Sequence, residues 1–155
     1  MPTAIIGIGL PASGKTTRLK QIATELRAPY VCPDDIRADL SGNAKDHSRN
    51  TEAWSIAYRK IESALMYGDY VVIDATNAKA QDRQQMARFC RNLGARTVGY
   101  WFKTPLRVCM ERNQARERVV PDRAMRRMAY CLRSAPPDLT DGFDEIIKIL
   151  PPQGS

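Results

Sequence analysis

The sequence predicts an α/β fold: a central parallel five-stranded sheet with helices on both faces. Three observations predict it. Short apolar runs alternate with amphipathic segments along the chain, at a spacing that needs crossover connections and hence parallel strands. A glycine-containing turn joins the first apolar run directly to the first amphipathic segment. No repeat, low-complexity tract or linker divides the 155 residues, a length suited to a single domain.

Residues 4–8 read as a buried first strand. After the turn, Leu19, Ile22, Ala23 and Leu26 recur at i, i+3, i+4 and i+7, one face of a helix that Pro29 stops. Residues 30–32 form a short second strand closed by Pro33, and residues 34–40 a short helix ended by Ser41-Gly42. Trp54, Ala57, Tyr58, Ile61 and Leu65 mark a longer helix, and residues 70–73 a third strand ending at Asp74. A helix over 80–93 follows, with Gly94 at its C-terminal cap. Residues 97–102 make the fourth strand, after which Thr104-Pro105 places a capping hydroxyl before a proline at the first helical position. That helix turns Leu106, Cys109 and Met110 inward, and Pro121 opens another with Met125, Met128, Ala129 and Leu132 on one face. Residues 145–150 supply the fifth strand, before a polar tail at 151–155.

Composition narrows the function. With 43% apolar residues the chain can build a core, which argues against disorder. No apolar run approaches the roughly 18 residues of a membrane span, and residues 1–30 carry no secretory-signal pattern, so a soluble cytoplasmic protein without a membrane partner is expected. Cys32, Cys90, Cys109 and Cys131 include no C-x-x-C pair and read as reduced, mostly buried thiols. His47 is the single histidine, so a general base is expected to be a carboxylate. The net charge of +7 is concentrated: residues 81–133 hold 13 basic and 4 acidic side chains. Arginine supplies 17 of the 24 basic residues, and its planar fork matches phosphate oxygens. A phosphate-bearing partner is the natural one to suspect, either bound nucleotide or nucleic acid, with a well-solvated arginine-rich surface as the alternative.

Gly9-Leu10-Pro11-Ala12-Ser13-Gly14-Lys15-Thr16 satisfies G-x-x-x-x-G-K-[ST], between a strand and an amphipathic helix. Glycines let backbone N–H groups curl around phosphates at the helix N-terminus, Lys15 reaches the β- and γ-phosphates, and the Thr16 hydroxyl ligates Mg²⁺. ATP and Mg²⁺ are the expected cofactors, with Thr17 beside them in the first turn.

This loop, Asp34-Asp35-Ile36-Arg37 after strand two, Val72-Ile73-Asp74-Ala75-Thr76-Asn77 with Arg83 downstream, and Arg112-Asn113-x-x-Arg116 before Val120-Pro121 together resemble the 5′-hydroxyl polynucleotide kinase family of P-loop phosphotransferases, across residues 4 to about 132. The resemblance implies a P-loop kinase with an arginine-rich helical lid at about 112–120. It makes Asp34 the general base for a 5′-hydroxyl of RNA or DNA, and Arg37 a contact to the acceptor strand's phosphate. Arg112 and Arg116 would lie over ATP, with Arg116 neutralising the transferring phosphoryl group, and Thr76, Asn77 and Arg83 would touch the acceptor. Asp74 takes the place of a magnesium-ordering acid, one residue earlier than in the family's bacteriophage members, a shift that could turn it away from the site.

Alternatives stand beside these roles. Asp34 and Arg37, three apart, also suit an N-cap with an intrahelical ion pair, and Asp35 is a rival base about 100° around the helix. Arg112 and Arg116 also suit an exposed, salt-bridged helix, with Arg118 able to substitute for either, and Asn77 suits an ordinary helix cap. At the level of function, a small-molecule P-loop phosphotransferase acting on a sugar or antibiotic hydroxyl competes with the polynucleotide kinase, and a non-catalytic nucleotide-gated binding module is the third reading.

Overall fold

A computed structural model describes residues 1–43 and 46–151, so the expected tail beyond Pro151 lies outside the described residues. The order is β1 (Thr3–Ile8), α1 (Lys15–Leu26), β2 (Tyr30–Val31), α2 (Pro33–Ser41), α3 (Asn50–Tyr67), β3 (Tyr70–Ile73), α4 (Ala80–Asn92), β4 (Arg96–Phe102), α5 (Leu106–Asn113), α6 (Asp122–Ser134) and β5 (Glu145–Ile149), with one 3-10 turn at Leu139–Asp141. Every strand pairing is parallel, in the order β2-β3-β1-β4-β5, with Ile6 of β1 opposite Ile73 on one side and Gly99 on the other. All five predicted strands are present, and α/β with a five-stranded parallel sheet is the observed class.

Alternation along the strands sorts the core into two layers. Ile5, Val72 and Phe102 face α1 and pack on Leu19, Ile22 and Ala23. Ala4, Ile6, Ile8, Val71 and Ile73 face the other way, onto Ala57 and Ile61 of α3, Met86 and Cys90 of α4 and Met125 of α6. Ile6, Ile8 and Ile61 are fully buried, each worth about 1.5–3 kcal/mol of transfer free energy. Helices therefore cover both faces. The chain leaves central β1 toward β2 and returns on its other side at β4, so a switch in strand order opens a crevice beyond the strands' C-terminal ends.

Two local expectations are corrected. Thr104 does not cap α5, whose N-cap residue is Pro105; its hydroxyl instead donates to the carbonyl of Ser13 at 2.7 Å, because the end of β4 lies against the turn after β1. The arginine-rich segment is helical only to Asn113. The buried Asn113 amide donates to the Val120 carbonyl at 2.7 Å and its Oδ1 accepts from the Val120 N–H at 3.0 Å. That clasp ties off residues 114–120 as a loop, so Arg112 and Arg116 do not share one helical face.

Candidate active site

The β1–α1 loop is shaped for close approach. Ala12 (φ 64°) and Gly14 (φ 90°) both adopt the left-handed conformation, which curls the backbone and which glycine adopts without strain. A Cβ on Gly9 would lie 3.1 Å from both Phe102 Cβ and Ser13 Oγ, so only glycine fits the cradle easily. Ser13 Oγ is buried and has no hydrogen-bond partner, an orphaned polar atom in the concavity where the loop's N–H groups converge. Pro11 is half-buried, and Thr16 and Thr17 are exposed in the first turn of α1.

Asp74 organises the far side of this loop. Val72 faces α1, and Asp74, two residues on, keeps the same side. Its buried carboxylate accepts from Lys15 Nζ, from the Thr16 hydroxyl at 2.7 Å and from the Tyr30 hydroxyl. The one-residue shift therefore leaves Asp74 facing the phosphate loop. Burial alone would raise the Asp74 carboxyl; the Lys15 ammonium, with hydrogen bonds from Lys15, Tyr30 and Thr16, outweighs it and holds the group below the usual carboxylate range. Burial, and then the Asp74 charge, pushes the Tyr30 phenol up, so it remains a donor. The Cys32 thiol is pushed up to about 11, first by burial and then by the Asp74 charge, and so is no thiolate nucleophile at neutral pH. All four cysteines are free, with Cys90 and Cys109 buried.

A cavity of about 550 Å³ opens beside this cluster, bordered by Asp34, Asp74, Thr76, Trp54, Tyr58 and Arg127 among others. Asp34 lies in the first turn of α2, after Cys32 at the N-cap, and its side chain is 61% exposed; Arg37 Nη1 donates to its Oδ1 at 3.1 Å. The spacing of three thus places the two on one face, joined as an ion pair. Asp35 points elsewhere and receives Arg118 Nη1 at 2.9 Å, which pins the 114–120 loop to α2. Burial works against the charged form of Arg118, but the hydrogen bond and charge of Asp35 hold its pKa above the usual arginine range.

The other predicted residues divide. Arg112 Nη1 lies 4.0 Å from the position of a Gly14 Cβ, against the phosphate loop. Arg116 is half-buried, and its Nη1 is enclosed without a partner. The buried Asn77 caps no helix: at φ 50° it turns its amide to the Gly7 carbonyl at 2.8 Å. Arg83 does not reach the cavity. It is fully buried, and its guanidinium is engaged by Asp141 at 2.8 Å and by the carbonyls of Asn77, Ala78 and Ala135 at 3.1, 3.0 and 2.6 Å.

Sequence reasoning missed Tyr30 as a ligand of Asp74, although its half-buried place in the α1 layer is consistent with that contact. The periodicity uses Trp54 and Tyr58 only to mark a helix, whereas they also wall the cavity, with ring centroids 6.0 Å apart. Their i, i+4 spacing fits either role. Among the described residues no group of three or more His, Cys, Asp or Glu side chains is placed to hold a metal ion; at the phosphate loop the Thr16 hydroxyl and the Asp74 carboxylate, the pair that the sequence suggests for magnesium, lie side by side.

This sheet order, with a phosphate loop after the central strand and an acid at the end of its neighbour, defines a P-loop kinase fold, which implies nucleotide binding. The chain belongs to the AAA domain family (AAA_33), which it matches over residues 5–134. It is similar to cytidylate kinase of Methanocaldococcus jannaschii, 24% identical over 120 residues that cover 77% of this chain and 67% of that protein. In structure it resembles a candidate kinase of Chloroflexus aurantiacus, with TM-score 0.71, 19% identity and coverage of 96% and 88% of the two chains. It also resembles a chain of the Pnkp1/Rnl/Hen1 RNA repair complex, with TM-score 0.74 and 24% identity over 86% of this chain but 44% of that longer one. No helix among the described residues is long and apolar enough to cross a membrane.

Proposed function

We propose that the chain is an ATP-dependent kinase that transfers the γ-phosphoryl group to a 5′-hydroxyl end of RNA or DNA. The observation that carries this reading is the shared cavity: an exposed carboxylate, Asp34, borders the same space as Asp74, which holds the phosphate-loop Lys15 and Thr16. An alcohol entering there meets a base on one side and the nucleotide terminus on the other.

In this mechanism the Asp34 carboxylate accepts the hydroxyl proton as the alcohol oxygen bonds to the γ-phosphorus and the bond to the ADP oxygen breaks. Lys15 binds the β- and γ-phosphate oxygens, and the orphaned Ser13 hydroxyl is a further donor for the nucleotide. Arg112 and Arg116 cover the nucleotide, Arg116 offering its unpartnered Nη1 to the charge that develops on the phosphoryl group. Thr16 and Asp74 would hold Mg²⁺, which when bound would neutralise charge on the phosphates. Arg37 steadies Asp34 and meets the acceptor phosphate. Thr76 and Asn77 border the acceptor cavity, and Arg83, engaged internally, shapes its wall from behind.

Support for a nucleic-acid acceptor comes from the aromatic wall of Trp54 and Tyr58, a stacking surface for a base, and from likeness to a chain of an RNA repair complex. A small hydroxyl acceptor is the second reading, favoured by a volume typical of small-ligand sites and by similarity to a cytidylate kinase. One experiment separates them: γ-labelled ATP with a mixture of 5′-hydroxyl oligonucleotides, nucleotides and sugars. Label on the oligonucleotides, inhibited steeply by salt, is expected; label only on a small acceptor overturns the polynucleotide assignment.

A further inference from the structure

Helix α6 carries two neighbouring stripes. Ala124, Arg127, Met128 and Cys131, at i, i+3, i+4 and i+7, border the cavity. Next to them on the outer face run Arg123, Arg126, Tyr130 and Arg133, all exposed, Tyr130 by 61%. Elsewhere on the surface Arg49 pairs with Glu52, Arg96 with Glu145, Arg107 with Glu111 and Arg118 with Asp35, while Arg59 and Arg88 are exposed without an acidic partner among the described residues. Arg123, Arg126 and Arg133 make no hydrogen bond or ion pair within the described residues. Arg133 instead lies 6.0 Å from the centre of the Tyr130 ring. The helix's one first-turn acid, Asp122, sits at its N-terminal end, where the helix dipole accounts for it.

Helix stability alone gives no account of three unpaired guanidinium groups around an exposed ring, since like charges one turn apart repel. Phosphodiesters supply the missing counter-charge, and an unpaired base supplies the face that Tyr130 stacks on. From Arg123 to Arg133 the stripe runs about 15 Å, the length of a few nucleotides. It begins beside Arg127 at the cavity rim, so a strand whose 5′ end enters the cavity leaves along it.

We infer that the outer face of α6 is a track for the single-stranded nucleotides that follow the 5′-terminal residue of the acceptor. This rests on the polynucleotide-kinase reading. It assigns Arg123, Arg126 and Arg133 to backbone phosphates and Tyr130 to a base in the unpaired stretch.

The test uses the full chain with a 5′-hydroxyl 12-nucleotide single strand labelled at its 3′ end. Relative to wild type, R123Q/R126Q/R133Q raises the Kd at least about tenfold and flattens the log Kd against log salt slope by about 2, the value for three single-strand phosphate contacts. Tyr130→Ala weakens binding about fivefold or more without changing that slope. In transfer assays the triple variant raises the KM for the 12-mer and leaves those for ATP and a nucleoside 3′-phosphate unchanged. An unaltered Kd and slope in the triple variant overturns the track, including in favour of an acidic protein partner for the same face. A blunt duplex that binds as tightly as the single strand, with no effect of Tyr130→Ala, overturns the single-strand assignment. Equal transfer by wild type and variant to short and long acceptors removes the track and leaves the kinase reading standing; no transfer to either acceptor removes both.

Discussion

Replacing Arg83 by methionine distinguishes a buried structural cation from a substrate contact. The guanidinium is fully buried, pairs with Asp141, whose side chain is 5% exposed, and donates to three backbone carbonyls. Arg83→Met keeps an apolar stem of similar reach but leaves the Asp141 carboxylate buried without its cation. Breaking one side of such a pair costs about 3–5 kcal/mol. At about 2–4 °C per kcal/mol for a chain of this size, the Tm should fall by about 6–20 °C. Adding Asp141→Leu should recover part of the loss, because the uncompensated charge goes with it. Thermal unfolding followed by circular dichroism reads the shift, and transfer assays well below the lowered Tm read activity. A wild-type Tm with a raised acceptor KM would refute the reasoning and return Arg83 to the acceptor site that the family resemblance implies.

Two further outcomes follow from the same geometry. The Asp74 carboxyl is held below its ordinary value, so its charge stabilises the fold above about pH 4 and that contribution fades as pH falls through the lowered native value. The urea-midpoint gap between wild type and Asp74→Asn should therefore be full near pH 7 and close toward pH 3; a gap that widens on acidification contradicts this. Asn113→Ala removes both hydrogen bonds that clasp Val120, at a cost of about 2 kcal/mol, and frees the loop that carries Arg116. It should lower the urea midpoint and raise the KM for ATP together, and an unchanged ATP KM would separate the clasp from nucleotide closure.

Much of the fold was legible because its signals are local. The β1–α1 loop could be read from fixed glycines, Lys15 and Thr16, and each strand from a short apolar run. The side taken by Asp74 follows from its parity with Val72 once α1 is known to cover that face. What escaped depends on partners distant in sequence. Arg83 stands three before Met86 and seven before Cys90 on the inward stripe of α4, a core position by periodicity. Its residue type argued for the surface until Asp141, 58 residues later, folded back to neutralise it. Periodicity alone runs the helix after β4 too far, because only the return of Val120 to Asn113 ends it. A local rule gives Thr104 to a cap, while the Ser13 carbonyl, 91 residues earlier, takes its hydroxyl.

The central claim is that Asp34 takes the acceptor proton, and Asp34→Asn tests it with little change in shape, since this side chain is largely exposed and pairs with Arg37. Single-turnover transfer from γ-labelled ATP to a 5′-hydroxyl oligonucleotide should slow by about 10²–10⁴ while the Kd for ATP stays at the wild-type value. Transfer by Asp34→Asn within a few-fold of wild type would contradict the account.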